Sequence, residues 1–248
     1  MLAIIGGSGL TQLANLEITH RQVIRTPFGE PSGALTFGHI KSEEVIFLAR
    51  HGYGHTIAPH DVNYRANIWA IHSRGVKDLI SVASVGGIHA DLKPGTIVIP
   101  DQIIDYTYGR QTTYREGRET PVGHMDFTEP YCSRMRELCL RAVHAAGETC
   151  VAGGVYAAVQ GPRLETRAEI NRLERDGATM VGMTGMPEAG LAKEIGLCYA
   201  TIGVVANYAA GRGSSKEGIL YAEVDQVLTQ SMQRVRMMLE HLVALHAG

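Results

Sequence analysis

"LAIIGGSGL", Leu2–Leu10, decides the reading of the whole chain. Leu2 to Ile5 is an apolar run without alternation, and it breaks into a turn built from Gly6, Gly7 and Gly9 around Ser8. A strand apolar on both faces belongs in a sheet covered on both sides, as in largely parallel α/β folds. Such folds place ligands beyond the carboxyl ends of their strands, where this turn lies. Three glycine-loop fingerprints compete for it. A P-loop needs GxxxxGK[ST], and no Lys follows. The dinucleotide pattern GxGxxG fails at its third Gly, because Gly7-Ser8-Gly9-Leu10-Thr11 is followed by Gln12. A simple tight turn remains, or one whose backbone N–H groups and Ser8 hydroxyl hold an anion.

Outward from this turn, strand and helix patterns alternate. "EVIFLAR" (Glu44–Arg50), "DLISVAS" (Asp78–Ser84), "GTIVIPDQ" (Gly95–Gln102), "GGVYAAVQ" (Gly153–Gln160) and "CYATIGVVAN" (Cys198–Asn207) read as further strands. Helices are predicted over Val62–Gly75, Cys132–Gly147, Thr166–Gly177, Pro187–Gly196 and Ala222–His246. Thr166 with Glu169 three residues later forms a capping-box signature, and glycine stops close the first four helices. With no linker or repeat, residues 1–248 read as one α/β domain, a sheet flanked by helices.

The composition narrows the function. The chain has 248 residues, 45% hydrophobic and 19% charged, with net charge −2 and no block of like charge, so nucleic-acid or membrane-surface binding gains no support. Its apolar runs fall short of the ~20 residues that span a bilayer. Cys132, Cys139, Cys150 and Cys198 show no CxxC spacing and no signal peptide precedes them, so reduced thiols in a cytoplasmic protein are expected.

The other strand ends carry the chemistry. "ARHGYGHTIAPHDVNYRAN" (Ala49–Asn67) ends a strand in Arg50 and His51 and adds His55 and His60 in the loop. A guanidinium suits a tetrahedral oxyanion. Metal binding is the rival, but these histidines lack an HExxH helix and stand among Gly52, Gly54 and Pro59. Ser84 in "SVASVGGIHADLKPG" and Thr184 in "VGMTGMPEAGLAKE" offer hydroxyls at further turns. Together these groups favour a phosphate or sulfate site. Glu165 in "QGPRLETRAEI" precedes a helix, where it serves either as ordinary N-terminal charge or as an acceptor for a ligand N–H.

"IIGGSGL", "TPFGEPS", "RHGYGHTIAPHDVNYRANIWA", "PGTIVIPDQIIDYT", "GPRLETRAE" and "MTGMPEAGLAKEIGLCYA" form a set that resembles the methylthioadenosine phosphorylase branch of the trimeric purine nucleoside phosphorylases. The resemblance runs almost the full length. It implies a mixed central sheet, a homotrimer or a dimer of trimers, and reversible phosphorolysis of a purine nucleoside. Inorganic phosphate is the co-substrate; no metal or organic cofactor is implied. The family's phosphate site falls on Ser8, Arg50, His51, Ser84 and Thr184. Met183 falls beside the ribose, and Leu164, Glu165 and Asn207 fall at the base. His55 and His124 match positions near the sugar and the subunit boundary, and Tyr106 is a second candidate to close a neighbour's pocket.

Two departures bear on the substrate. Where the family usually ends a strand in "TDYD", this chain reads Ala206-Asn207-Tyr208-Ala209, and Glu165 stands where Ser is usual. The Glu–Asn pair resembles the 6-oxopurine enzymes. A 6-oxopurine presents an N1–H donor and an O6 acceptor, which an ionised Glu165 and the Asn207 amide match. Adenine reverses both demands, and unpaired buried polar groups cost about 1–3 kcal/mol. Ala209 lacks the second carboxylate of an aminopurine enzyme. At the 5′ end, Val224 stands where ordinary inosine and guanosine phosphorylases have a His, with Val227 and Leu228 one turn later; this apolar face suits a methylthio group, or is simply helix core. The reaction expected is phosphorolysis of 5′-methylthioinosine to hypoxanthine and methylthioribose 1-phosphate, with Asn207, Glu165 and His55 as its catalytic set. Methylthioadenosine, inosine and guanosine are the alternative substrates, and a non-catalytic nucleoside- or phosphate-binding protein is the rival from another class.

Overall fold

A computed structural model describes residues 1–115 and 123–248. Its strands in chain order are β1 (Leu2–Gly6), β2 (Glu17–Gln22), β3 (Leu35–Ile40), β4 (Glu43–Ala49), β5 (Asp78–Gly87), β6 (Ile97–Ile99), β7 (Gln102–Asp105), β8 (Cys150–Ala152), β9 (Val155–Ala158), β10 (Met180–Gly182) and β11 (Cys198–Tyr208). The helices are α1 (Tyr64–His72), α2 (Ser133–Ala145), α3 (Arg167–Arg175), α4 (Gly185–Glu194) and α5 (Tyr221–Ala247). All the strands join one mixed sheet around β5, which pairs in parallel with β1 and β11 and antiparallel with β10.

The apolar run that opens the chain has its cause in this arrangement. Leu2 and Ile4 of β1 face a core built on α2 and α5. Ala3 and Ile5 face a second core built on α1 and α4. Both faces of the strand are therefore covered, and no polar residue is tolerated at either parity. β1, β4, β5 and β11 run in parallel, so Gly6, Ala49 and Asn207 reach the same edge of the sheet.

The helices follow their sequence signals. At the start of α3, Thr166 Oγ1 accepts from the Glu169 N–H at 3.1 Å, while Glu169 Oε2 accepts from the Thr166 N–H at 2.7 Å. That closes the capping box. α5 buries Leu228, Met232, Val235, Leu239 and Leu242, spaced three or four residues apart along one stripe.

The strand expectations need three corrections. Gly95–Gln102 does not run as one strand: Pro100 removes a ladder donor, and the chain leaves β11 and β8 at Ile99 to join β9 from Gln102. β2 carried no strand signal, because "EITHRQ" is exposed along its whole length and has no apolar face to read, and the buried β3 was not read as a strand either. Antiparallel pairing of β2 with β3 and of β3 with β4 makes the sheet mixed, as the family resemblance implies, where the apolar runs alone suggested a largely parallel one.

The cysteines also differ from expectation. Cys132 and Cys198, 66 residues apart, form a disulfide with Cα atoms at 5.2 Å. CxxC spacing detects only local pairs. Here the Cys132 N–H donates to the Tyr199 carbonyl at 2.8 Å, bringing the α2 N-cap against the first residue of β11. Cys139 and Cys150 are free; the buried Cys139 thiol is pushed up to about 12 by desolvation. No helix among the described residues is long and apolar enough to cross a membrane. Thiol titration of the unreduced, denatured protein should find two reactive thiols per chain. Cys132→Ser should lower stability by up to about 4 kcal/mol, the entropy of closing such a loop, read from denaturant midpoints with and without reductant. Four titratable thiols would remove the cross-link.

Candidate active site

The strand ends enclose a cavity of about 590 Å³, within the range of ligand sites. Its floor is the Gly7–Ser8 turn after β1. A Cβ on Gly7 would lie 2.7 Å from both Arg50 Nη1 and the Val82 carbonyl, so only Gly lets the turn lie this close to the guanidinium.

At one end the expected anion groups converge: Ser8, Arg50, His51, Ser84 and Thr184 all line the cavity. Thr184 lies just before α4 and its side chain makes no capping bond; Met186 is extended, so the regular helix begins at Pro187. Ser8 Oγ lies 2.9 Å from Nε2 of His55, an exposed residue with φ 51° on the loop after β4. His51 is buried, and its Nδ1 lies 2.8 Å from the Ile57 carbonyl. That contact needs Nδ1–H and leaves Nε2 as an acceptor. Burial, followed by the adjacent Arg50 charge, lowers the His51 pKa to about 4, so the ring is neutral at physiological pH.

Arg50 differs from the exposed anion clamp that its position suggests. It is fully buried, and Nε and Nη2 donate to the two carboxylate oxygens of Glu188 at 2.7 and 3.0 Å. Nη2 also donates to Ser81 Oγ at 2.6 Å and Nη1 to the Val82 carbonyl at 3.1 Å. Burial alone would lower its pKa, but the charge and hydrogen bonds of Glu188 outweigh that and hold the group above its ordinary value. Glu188 was not foreseen as part of this set. It lies in "MTGMPEAGL" on the first turn of α4, where an acidic residue reads as ordinary helix-start charge.

Leu164, Glu165, Asn207 and Ala209 also line the cavity. Pairing of β11 with β5 runs to Val205↔Val85 and resumes at Asn207↔Gly86, a bulge that leaves Ala206 unpaired. Bulges re-aim the side chains beside them. The Asn207 Nδ2 donates to the Tyr208 carbonyl at 2.7 Å, which holds the amide and leaves Oδ1 and the second N–H without a partner among the described residues. Glu165 is half-buried, and desolvation raises its pKa above the ordinary glutamate value. Met183 lines the middle of the cavity. Its carbonyl accepts from Arg110 Nη1 at 2.8 Å, and the same nitrogen bonds the Met186 carbonyl at 2.7 Å. Arg110 thus clamps this turn, a role that no local sequence signal announces.

The third wall is one face of α5 with the loop before it: Ile219, Tyr221, Val224, Asp225 and Leu228. Val227 is not on it. The helical period puts residues 221, 224, 225 and 228 on one face and turns Val227 toward a smaller adjoining cavity shared with Asn207 and Val224. His124 is exposed and lines neither this cavity nor the two smaller ones beside Tyr106 and Val227. Tyr106 faces a separate cavity of about 360 Å³, and its hydroxyl donates to Asp176 at 2.6 Å. Among the described residues, no group of three His, Cys, Asp or Glu side chains is placed to hold a metal ion.

Comparison with known proteins gives a consistent picture. The profile of the phosphorylase superfamily matches residues 1–244. A probable S-methyl-5′-thioinosine phosphorylase of Pseudomonas syringae pv. tomato is 47% identical over 242 residues, covering 98% of this chain and 98% of the relative. A 6-oxopurine nucleoside phosphorylase of Pyrococcus furiosus is 43% identical over 239 residues, covering 94% of this chain and 88% of the relative. The crystal structure of methylthioadenosine phosphorylase from Schistosoma mansoni in complex with adenine superimposes with a TM-score of 0.94 at 32% identity, covering 99% of this chain and 91% of that one.

Proposed function

The chain belongs to the phosphorylase superfamily, and we propose that it catalyses phosphorolysis of S-methyl-5′-thioinosine to hypoxanthine and 5-methylthioribose 1-phosphate. The observation that carries the substrate assignment is that Glu165, Asn207 and Ala209 line the same cavity as Ser8, Arg50, His51, Ser84 and Thr184. Relatives of nearly the same length named for methylthioinosine and for 6-oxopurines support the same reading.

Phosphate enters among Ser8, Arg50, His51, Ser84 and Thr184 and attacks C1′ from the face opposite the base. His55, bonded to Ser8, borders the phosphate and sugar; Met183 lies under the ribose. As the glycosidic bond breaks, positive charge develops on the ribose and negative charge moves onto the purine. Glu165 accepts from N1–H. The free Asn207 N–H donates to O6 and, once the leaving base takes up at N7 a proton from the acidic phosphate or from solvent, Oδ1 accepts from N7–H, so the amide stabilises charge that exists only as the base leaves. Because the bond to Tyr208 already orients the amide, little reorganisation is needed at that moment. The neutral His51 can accept from a P–OH, which suits a protonated phosphate.

Val224, Leu228 and Ile219 take the methylthio group. Asp225 on the same wall favours a second reading, in which its carboxylate accepts from a 5′-hydroxyl and the substrate is inosine or guanosine. One assay separates them: base release in phosphate from methylthioinosine, methylthioadenosine and inosine. Methylthioinosine should give the highest kcat/KM, ahead of methylthioadenosine by about a hundredfold or more, as for other mispaired polar sites. Faster adenine release would overturn the oxopurine assignment, and faster inosine turnover would favour the Asp225 reading.

The raised pKa of Glu165 also sets a pH dependence. The carboxylate must be ionised to accept from N1–H, so kcat/KM should fall with acidification at a higher pH than an ordinary glutamate would require. Glu165→Gln removes that limb from the pH profile and lowers kcat/KM by about tenfold, the difference between a charged and a neutral hydrogen bond. An unaltered limb would assign the titration to another group.

We further propose that the chain acts as a homotrimer. The large apolar side chains left exposed on a single copy, Tyr108 and Met125 on the segment after β7 and Leu220 and Tyr221 at the cavity rim, support association. Light scattering should give a mass of three 26.8-kDa chains, or six if trimers pair; a monomer of full activity would exclude a neighbour's part in the site.

A further inference from the structure

Among the described residues, the most completely buried polar cluster adjoins the cavity through Arg50. Arg50 and Glu188 are both inaccessible to solvent. The Tyr199 hydroxyl donates to Glu188 Oε1 at 2.9 Å, and Thr201 Oγ1 lies 3.1 Å from the same hydroxyl. Nothing in the reaction as described gives Glu188 a task, because its carboxylate faces the guanidinium and does not line the cavity.

The donors of Arg50 define that task. A guanidinium has five N–H bonds in one rigid plane. Glu188 takes one from Nε and one from Nη2, Ser81 takes the second from Nη2, and the Val82 carbonyl takes one from Nη1. One Nη1–H remains. Nη1 is the atom that sits against the Gly7 turn, and both Gly7 and Arg50 border the cavity. The guanidinium plane therefore cannot turn without breaking bonds on two edges, and its last donor is held at one fixed place, on the nitrogen beside the Gly7 turn.

We propose that Glu188 is a positioning residue for the phosphate co-substrate: its carboxylate, steered by Tyr199, fixes the plane of Arg50 so that the remaining Nη1–H meets a phosphate oxygen. This rests on the phosphorolysis reading. A carboxylate is needed because both of its oxygens accept, matching the Nε and Nη2 donors side by side. Glu188→Gln keeps the shape but turns one oxygen into a donor facing a donor. The plane must then rotate, and the aimed bond to phosphate is lost. The competing role, a fold-stabilising ion pair alone, predicts a different result: fewer folded molecules with unchanged affinity for either substrate.

The test is steady-state kinetics with phosphate and nucleoside varied separately, on wild type, Glu188→Gln and Tyr199→Phe, each checked for its folded fraction by circular dichroism. Glu188→Gln should raise the KM for phosphate about tenfold or more, as expected for a lost charged hydrogen bond, with the nucleoside KM within about twofold. Tyr199→Phe keeps the ion pair and removes only the hydroxyl that steers it. It should raise the phosphate KM by about two- to fivefold and decides the question if Glu188→Gln is not recovered folded. An unchanged or lower phosphate KM in the folded variants would overturn the proposal, and a lower one would show that Glu188 acts by weakening the Arg50 charge. A wild-type protein that releases no base in phosphate would instead overturn the phosphorolysis reading, an outcome visible before any variant is compared.

Discussion

The buried ion pair of Arg50 and Glu188 is the constraint around which the molecule is arranged. Taking two charges out of water costs several kcal/mol per ion, and only good geometry with further hydrogen bonds offsets it. Here the geometry requires four segments to meet: the end of β4 for Arg50, the middle of β5 for Ser81 and Val82, the first turn of α4 for Glu188, and the start of β11 for Tyr199. A shift in any one leaves a charge or hydroxyl unpaired in the interior. The pair is thus a poor source of net stability but a strict specifier of how the strand ends are placed, and these ends are the walls of the cavity.

The two ends of that cavity use different physics. At the proposed anion end, the Arg50 charge is balanced by Glu188 and His51 is neutral, so the groups gathered there are directed dipoles: hydroxyls, a turn and a guanidinium whose donors are mostly taken. Such a site holds a tetrahedral oxyanion by geometry rather than by a large positive field. At the proposed base end, desolvation raises the pKa of Glu165, and Asn207 is pre-oriented by its own backbone neighbour. A desolvated acceptor is selective because a mismatched base cannot be rescued by water. The proposed substrate preference follows from this pair, and the anion end fits any phosphorolytic member of the superfamily.

Much of this was legible in the residues. Covered strands betray themselves by unbroken apolar runs, and α3 by a local capping box, because both signals depend on neighbours close in sequence. β2 was not legible, since an exposed edge strand needs no apolar face and its pairing partner supplies the only reason for its shape. Pro100 carried a readable warning against a continuous Gly95–Gln102 strand, but not which neighbours the two halves would find. Cys132 and Cys198 gave no spacing signal because their pairing is made by packing of α2 against β11. Val227 was misplaced by a helical register that the apolar residues alone leave loose.

The identities Ser8, Arg50, His51, Ser84, Thr184, Glu165 and Asn207 follow from the sequence by itself, because the donors and acceptors of a side chain are properties of the residue. So does the α/β class, because covering both faces of a strand demands an apolar residue at every position. What each side chain is free to do was decided only by the tertiary structure. Burial beside Arg50 makes His51 neutral, Glu188 consumes most of the donors of Arg50, and a bulge at Ala206 turns Asn207 to its post. Protonation, orientation and spare hydrogen-bonding capacity depend on neighbours distant in the chain, and those neighbours exist only once the chain has folded.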